Sequence, residues 1–129
     1  MQSSDNLPNL PRKLHKREAD ITPKILAWFR KNHKQSCAIE IKASTGDTIP
    51  RSALAPHQRA ALLAAMGQGI THKLSDEARR RQPFDAFMLA GVEAYVVCAF
   101  TKRGIALVMP VHWFDGARYD SPAMFTIPI

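Results

Sequence analysis

"SCAIEIKAS", residues 36–44, is the stretch from which the rest of the chain can be read. Its apolar positions alternate, so as a strand it turns Ile39 and Ile41 to one face and Ala38, Glu40 and Lys42 to the other. Residues two apart on a strand stand about 6.5–7 Å from each other on the same side, so Glu40 and Lys42 address one place. An acid and a cation so placed are an ordinary solvent-facing pair, or part of a site that works on a phosphate ester. The flanking sequence bears on which.

Upstream, Thr22 followed by Pro23 is a helix start signal, since Thr caps free amides and Pro suits the first helical position. Ile25, Leu26, Trp28 and Phe29 follow at helical spacing and predict a core-facing stripe on a helix running to about Asn32. Lys24, Arg30, Lys31 and Lys34 fall on its polar side or at its C-terminal end. Downstream, "TGDTIPRS" (45–52) reads as a loop and "APHQRAALLAAMGQG" (55–69) as a second helix, with Pro56 in its first turn and Gly67 to Gly69 ending it. "ITHKLS" (70–75) reads as a strand and "DEARRRQ" (76–82) as a charged connection. "FDAFMLA" (84–90), "EAYVVCAF" (93–100) and "IALVMP" (105–110) read as three further strands. The unbroken apolar run 94–100 predicts a central one. The last stretch, "VHWFDGARYDSPAMFTIPI" (111–129), is irregular, with Trp113 and Phe114 expected to pack on the domain. The order predicts a single α/β (α+β) domain, a central mixed β-sheet flanked by helices.

A chain of 129 residues with 46% hydrophobic content can bury one core. Residues 1–12 are polar and proline-punctuated, a loosely packed leader, and the domain occupies 13–129. No stretch approaches the ~20 apolar residues of a membrane span, and no secretory signal opens the chain, so a cytoplasmic protein is expected. Cys37 and Cys98 sit in apolar strands without metal spacing and read as reduced core thiols. The net charge is +7, and residues 12–34 hold eight Lys or Arg against Glu18 and Asp20. Such a field attracts polyanions, with nucleic acid the commonest partner, an acidic membrane surface or protein a less common one and a solvated basic tail the plain alternative; Lys13, Lys16 and Arg17 are the candidate nucleic-acid contacts. Arg79, Arg80 and Arg81 are a second candidate phosphate-contacting group or a solvated turn.

Three features bear on Glu40 and Lys42. Asp85, behind a proline at a strand start, offers a second carboxylate to the end of the same sheet. The loop after the Glu-x-Lys strand leads to His57 and Gln58 at a helix N-terminus, where anions are favoured. Glu18 lies in the basic N-terminal segment. The five histidines, at 15, 33, 57, 72 and 112, lack the i, i+4 spacing of a zinc site, and no Gly-rich phosphate loop or Ser or Cys nucleophile motif is present.

Taken in order, "IEIK" and "PHQRAALLAA" resemble the PD-(D/E)XK nuclease superfamily, and within it the Holliday junction resolvases of the archaeal and RecU types. The resembling span is about 16–100. It implies a restriction-endonuclease-like fold and a metal-dependent DNA endonuclease. Glu40 and Asp85 would bind Mg2+ (or Mn2+), with the Ile41 carbonyl a further candidate ligand. Lys42 would position the water, Gln58 would support the site or touch substrate, and Glu18 would match the acid of the family's first helix. The family's metal-binding Asp normally precedes Glu-x-Lys, but residues 21–39 contain no acid. Asp85 from a later strand, Asp20 or Asp47 would have to replace it, or else the site is incomplete. In that last case the chain would be a noncatalytic nucleic-acid-binding module. Symmetric cutting of a junction needs two active sites, so a homodimer goes with the resolvase reading.

Overall fold

In the computed structural model of the chain, which describes residues 18–74 and 84–129, two helices and eight strands follow one another. They are α1 (Glu18–Asn32), β1 (Cys37–Ser44), β2 (Thr48–Ile49), α2 (Pro56–Met66), β3 (Ile70–Lys73), β4 (Ala86–Leu89), β5 (Glu93–Phe100), β6 (Ile105–Pro110), β7 (Ala117–Arg118) and β8 (Phe125–Pro128). Single 3-10 turns cover Arg51–Ala53 and Thr101–Arg103. The central sheet is mixed, in the order β1-β5-β6-β8. β1 runs parallel to β5, while β5–β6 and β6–β8 are antiparallel. β2 pairs with β7, and β3 with β4, as separate two-stranded ribbons.

A strand that is apolar on both faces has to be covered on both, and β5 is: Ala94 to Phe100 are all buried. The period of two divides its side chains between two cores. Ala94, Val96, Cys98 and Phe100 join Leu107 and Met109 of β6 and Leu62 of α2. Tyr95, Val97 and Ala99 join Ala106 and Val108 of β6, Ile127 of β8, and Ile21, Ile25 and Phe29 of α1. β1 obeys the same parity. Ala38 packs toward the α2 core, while Cys37, Ile39, Ile41 and Ala43 pack toward the α1 core. Glu40 and Lys42 therefore belong to the α2 side of the sheet, as the alternation predicts.

Four expectations are corrected. The first helix is already formed at Glu18, so Thr22 and Pro23 lie inside it. Thr22 does not cap; its hydroxyl donates to the Glu18 carbonyl four residues back. The buried stripe is Ile21, Ile25 and Phe29, with Trp28 beside it, whereas Leu26 is exposed. "TGDTIPRS" is not wholly loop, because β2 and a 3-10 turn form within it. The C-terminal stretch supplies β7 and the sheet strand β8, and of its two aromatic residues Phe114 is buried but Trp113 is exposed.

Both cysteines are free; Cys98 is buried and Cys37 partly so. Burial pushes the Cys98 thiol up to about 12, which leaves it protonated and inert at neutral pH. The leader and Lys13, Lys16, Arg17, Arg79, Arg80 and Arg81 lie outside the described residues. No described helix is long and apolar enough to cross a membrane.

Phe100 is fully buried at the end of β5. Phe100→Ala is expected to lower unfolding stability by about 3–5 kcal/mol in chemical denaturation, the cost of a large core truncation.

Candidate active site

Glu40 and Lys42 stand opposite Val96 and Cys98 of β5 in the parallel register. The sheet thereby holds their backbones rigidly, halfway along its edge strand. Both side chains emerge beneath α2, and this partial cover leaves them 28% and 15% exposed, respectively. A carboxylate so shielded needs partners. Lys42 Nζ lies 3.3 Å from Glu40 Oε2, and Gln58 Nε2 donates to the same oxygen at 3.1 Å. Glu40 Oε1 takes part in neither contact.

Local sequence explains why Gln58 arrives there. Pro56 opens α2, where a missing amide hydrogen costs nothing. Ala55 precedes it and has no side chain with which to cap. Gln58 supplies the reciprocal half of a capping box instead, its Oε1 accepting from the Ala55 amide at 3.1 Å. The side-chain amide is thus anchored at one end and offered to Glu40 at the other. The helix N-terminus adds its own partial positive charge beside the carboxylate. Arg59, the next residue, donates to the Val111 and Phe114 carbonyls at 3.3 and 2.9 Å and ties the start of α2 to the turn after β6.

Beyond the C-terminal ends of the parallel strands β1 and β5 lies a second polar group. Arg103 grips Asp47 through Nε and Nη2 at 3.0 and 3.1 Å. Its guanidinium lies 3.8 Å from the centre of the Tyr119 ring, and that of Arg118 lies 5.1 Å from it. The hydrogen bond from Arg103 holds the Asp47 carboxyl below the usual carboxylate range. Asp47 is therefore engaged in a structural pair. Thr101 donates to the Ser44 carbonyl at 3.3 Å and closes the two strand ends together.

Of the predicted site residues, the fold brings together Glu40, Lys42 and Gln58, and Ile41 lies between the first two with its side chain in the α1 core. Asp85 is placed otherwise than expected. It immediately precedes β4, whose partner is β3 and not a strand of the central sheet, so it does not stand at the end of the sheet that carries Glu40. Its side chain is exposed and its carbonyl accepts from the Leu74 amide at 2.8 Å. Glu18 and Asp20 are exposed in the first turn of α1, which packs on the opposite face of the sheet from Gln58. His57 is exposed, while its neighbour Gln58 is turned inward. Among the described residues, no three of His, Cys, Asp and Glu come close enough to hold a metal ion between them.

At the opposite end of β5 a different cluster closes the α1 core. The Tyr95 hydroxyl donates to Glu93, and His33 Nε2 lies 3.3 Å from the same carboxylate oxygen. That contact is not a well-aligned hydrogen bond, and the imidazole nitrogen is buried with no bonded partner. Burial, and then the bond to Glu93, raise the Tyr95 hydroxyl well above its ordinary range.

Sequence reasoning missed Arg59, Arg103 and Tyr119. Nothing local in "TKRG" (101–104) ties its arginine to Asp47, 56 residues away. No family model matches the chain, nor does any curated protein or solved structure.

Asp47 keeps a depressed carboxyl only in the folded state, so its contribution to stability is present above the ordinary value of 3.8 and is lost as pH falls through the lower folded value. Arg103→Ala is expected to move the Asp47 titration midpoint upward, read by NMR of its carboxyl carbon, and to remove that part of the acid sensitivity.

Proposed function

We propose that the chain is a small metal-dependent DNA endonuclease of restriction-endonuclease-like fold, related in design to the junction resolvases. The supporting observation is the convergence of Lys42 Nζ and Gln58 Nε2 on one oxygen of Glu40, at 3.3 and 3.1 Å, beneath a helix N-terminus. A solvated strand pair would not need a third residue 18 positions away to be aimed at it.

The chemistry follows from these groups. Glu40 is a hard oxygen donor whose Oε1 is not used by Lys42 or Gln58, which suits Mg2+ or Mn2+; these ions take one or two carboxylates and keep several waters. Glu40 would hold the ion, with the Ile41 carbonyl beside it. When bound, such an ion polarises the phosphate and stabilises the charge that develops on its oxygens. Lys42 orients the attacking water and offsets negative charge as the phosphorus is attacked. Gln58 holds Glu40 in one rotamer, so its contribution is to position. The +7 net charge favours a polyanionic substrate, and a cytoplasmic homodimer acting on branched DNA is the form in which a resolvase-like enzyme would work.

One observation favours a second reading. Asp85 precedes a strand of the separate ribbon, not of the sheet that carries Glu40. Without a second carboxylate the same surface would serve a nucleic-acid-binding module with no catalysis.

Cleavage of labelled duplex, single-stranded and four-way-junction DNA with Mg2+ or Mn2+ separates the two. The parent is expected to cut, and Lys42→Ala to slow cutting by about 10²- to 10³-fold with DNA affinity retained. Glu40→Ala is expected to abolish it while remaining folded. Salt-sensitive binding by the parent with no cutting under either metal would establish the module instead.

A further inference from the structure

The central sheet has two edges, and they are built differently. β8 is 4 residues long and ends in Pro128, which has no amide hydrogen to offer a further strand. β1 runs for 8 residues, Cys37–Ser44, with no proline, and its register with β5 is unbroken by any bulge. Among the described residues no strand pairs with its outer side. α1 does not close that side, because its buried stripe clusters with β5, β6 and β8, while Ile39 and Ile41 at the edge are only partly buried. A long, regular edge presents a row of backbone donors and acceptors that templates another strand. Edges that are to stay single are blunted as β8 is, and β1 is not.

We propose that β1 pairs antiparallel with β1 of a second copy about a two-fold axis at Ile41, joining two four-stranded sheets edge to edge. The inference stands on the edge strand and goes beyond the reading of the Glu40 site. Symmetry and charge choose the partner and the register together. An isologous contact needs a strand that complements its own reverse. Opposed residues must also share a face, so the register moves only in steps of two. With Ile41 opposite itself, Glu40 faces Lys42 of the partner subunit and Lys42 faces the partner's Glu40, while Ile39 meets the partner's Ala43 on the other face. The next register on one side sets Glu40 against the partner's Glu40, and that on the other sets Lys42 against the partner's Lys42; like charges directly opposed are destabilising. One register is therefore selected, and the alternation that selects it is one that self-pairing uses. β1 carries one acid and one lysine, so no net charge on the strand opposes the approach. Within one chain Lys42 Nζ lies 3.3 Å from Glu40 Oε2, and pairing extends that contact into a ring of four alternating charges. Each Glu40 stays beneath its own α2, so the two sites come to one side of the joined sheet.

The test is analytical ultracentrifugation of the full chain without DNA, over a wide range of concentration. The parent is expected to sediment as a monomer–dimer equilibrium. Glu40→Lys and Lys42→Glu, each shown folded by circular dichroism, set like charges opposite one another and are expected to weaken self-association at least tenfold. Mixed in equal amounts, the two are expected to form a heterodimer, since every opposed pair then joins an acid to a lysine. Mixing does not restore the ion pair within either chain, so this recovery reads the contact between chains alone. The double variant Glu40→Lys/Lys42→Glu is expected to regain the parent's dimer. Single variants that dimerise as the parent does, or that fail to associate on mixing, would overturn the proposal. So would a parent that is monomeric throughout, and slow amide exchange along β1 in that monomer would assign the edge to another segment of the same chain. The two readings fail separately. A dimeric parent that cuts no DNA under either metal removes the nuclease and leaves the pairing, and a monomeric parent that cuts does the reverse.

Discussion

Burial of β5 on both faces is the constraint from which the other placements follow. Once Ala94–Phe100 is enclosed, its even and odd positions require two separate covers, and α1 and α2 are the elements available. The parallel pairing of β1 with β5 then fixes the parity of the edge strand. Glu40 and Lys42 have no choice of face. They emerge under the same helix whose first turn carries Gln58, and a glutamine in that turn can reach them only because β1 is held in that register.

The Glu40 group shows how a partly covered acid is made tolerable by its contacts. A carboxylate shaded by a helix loses water, and a lysine, an amide and a helix N-terminus restore part of what solvent supplied. These partners also fix the orientation of the carboxylate, the first requirement of a site that is to hold a cation or align a phosphate. Asp47 and Arg103 form a pair of another kind. Each satisfies the other beside Tyr119 at the rim, where they brace the strand ends and leave neither group uncommitted.

Much of this was legible locally. The alternation in 36–44, the Pro56 start and Gly67 end of α2, the strands at 70–73, 86–89, 93–100 and 105–110, and the shared face of Glu40 and Lys42 are all short-range patterns. Thr22-Pro23 imitates a start signal, yet the helix is already formed at Glu18. A proline one turn into a helix is tolerated when buried residues such as Ile21 and Ile25 hold that segment against a sheet. β8 has little local signal, because "FTIP" is short, ends in proline and carries one buried residue, Ile127. It becomes a strand only because β6 presents an edge for it. Proline is acceptable at such an edge position, where its missing amide is not needed.

The sequence by itself determined the class of the fold, the two-sided burial of β5 and the pairing of an acid with a lysine on one strand face, because periods of 2 and 3.6 are properties of the backbone. Only the tertiary structure decided that Gln58 closes on Glu40, that Asp47 belongs to Arg103, that Asp85 leads into a separate ribbon, and that Phe87 and Met88 are left in water. Those four outcomes depend on contacts between segments far apart in the chain. No local rule carries them, since they arise only when two covers compete for the faces of one sheet and the remaining strands take whatever edges are left.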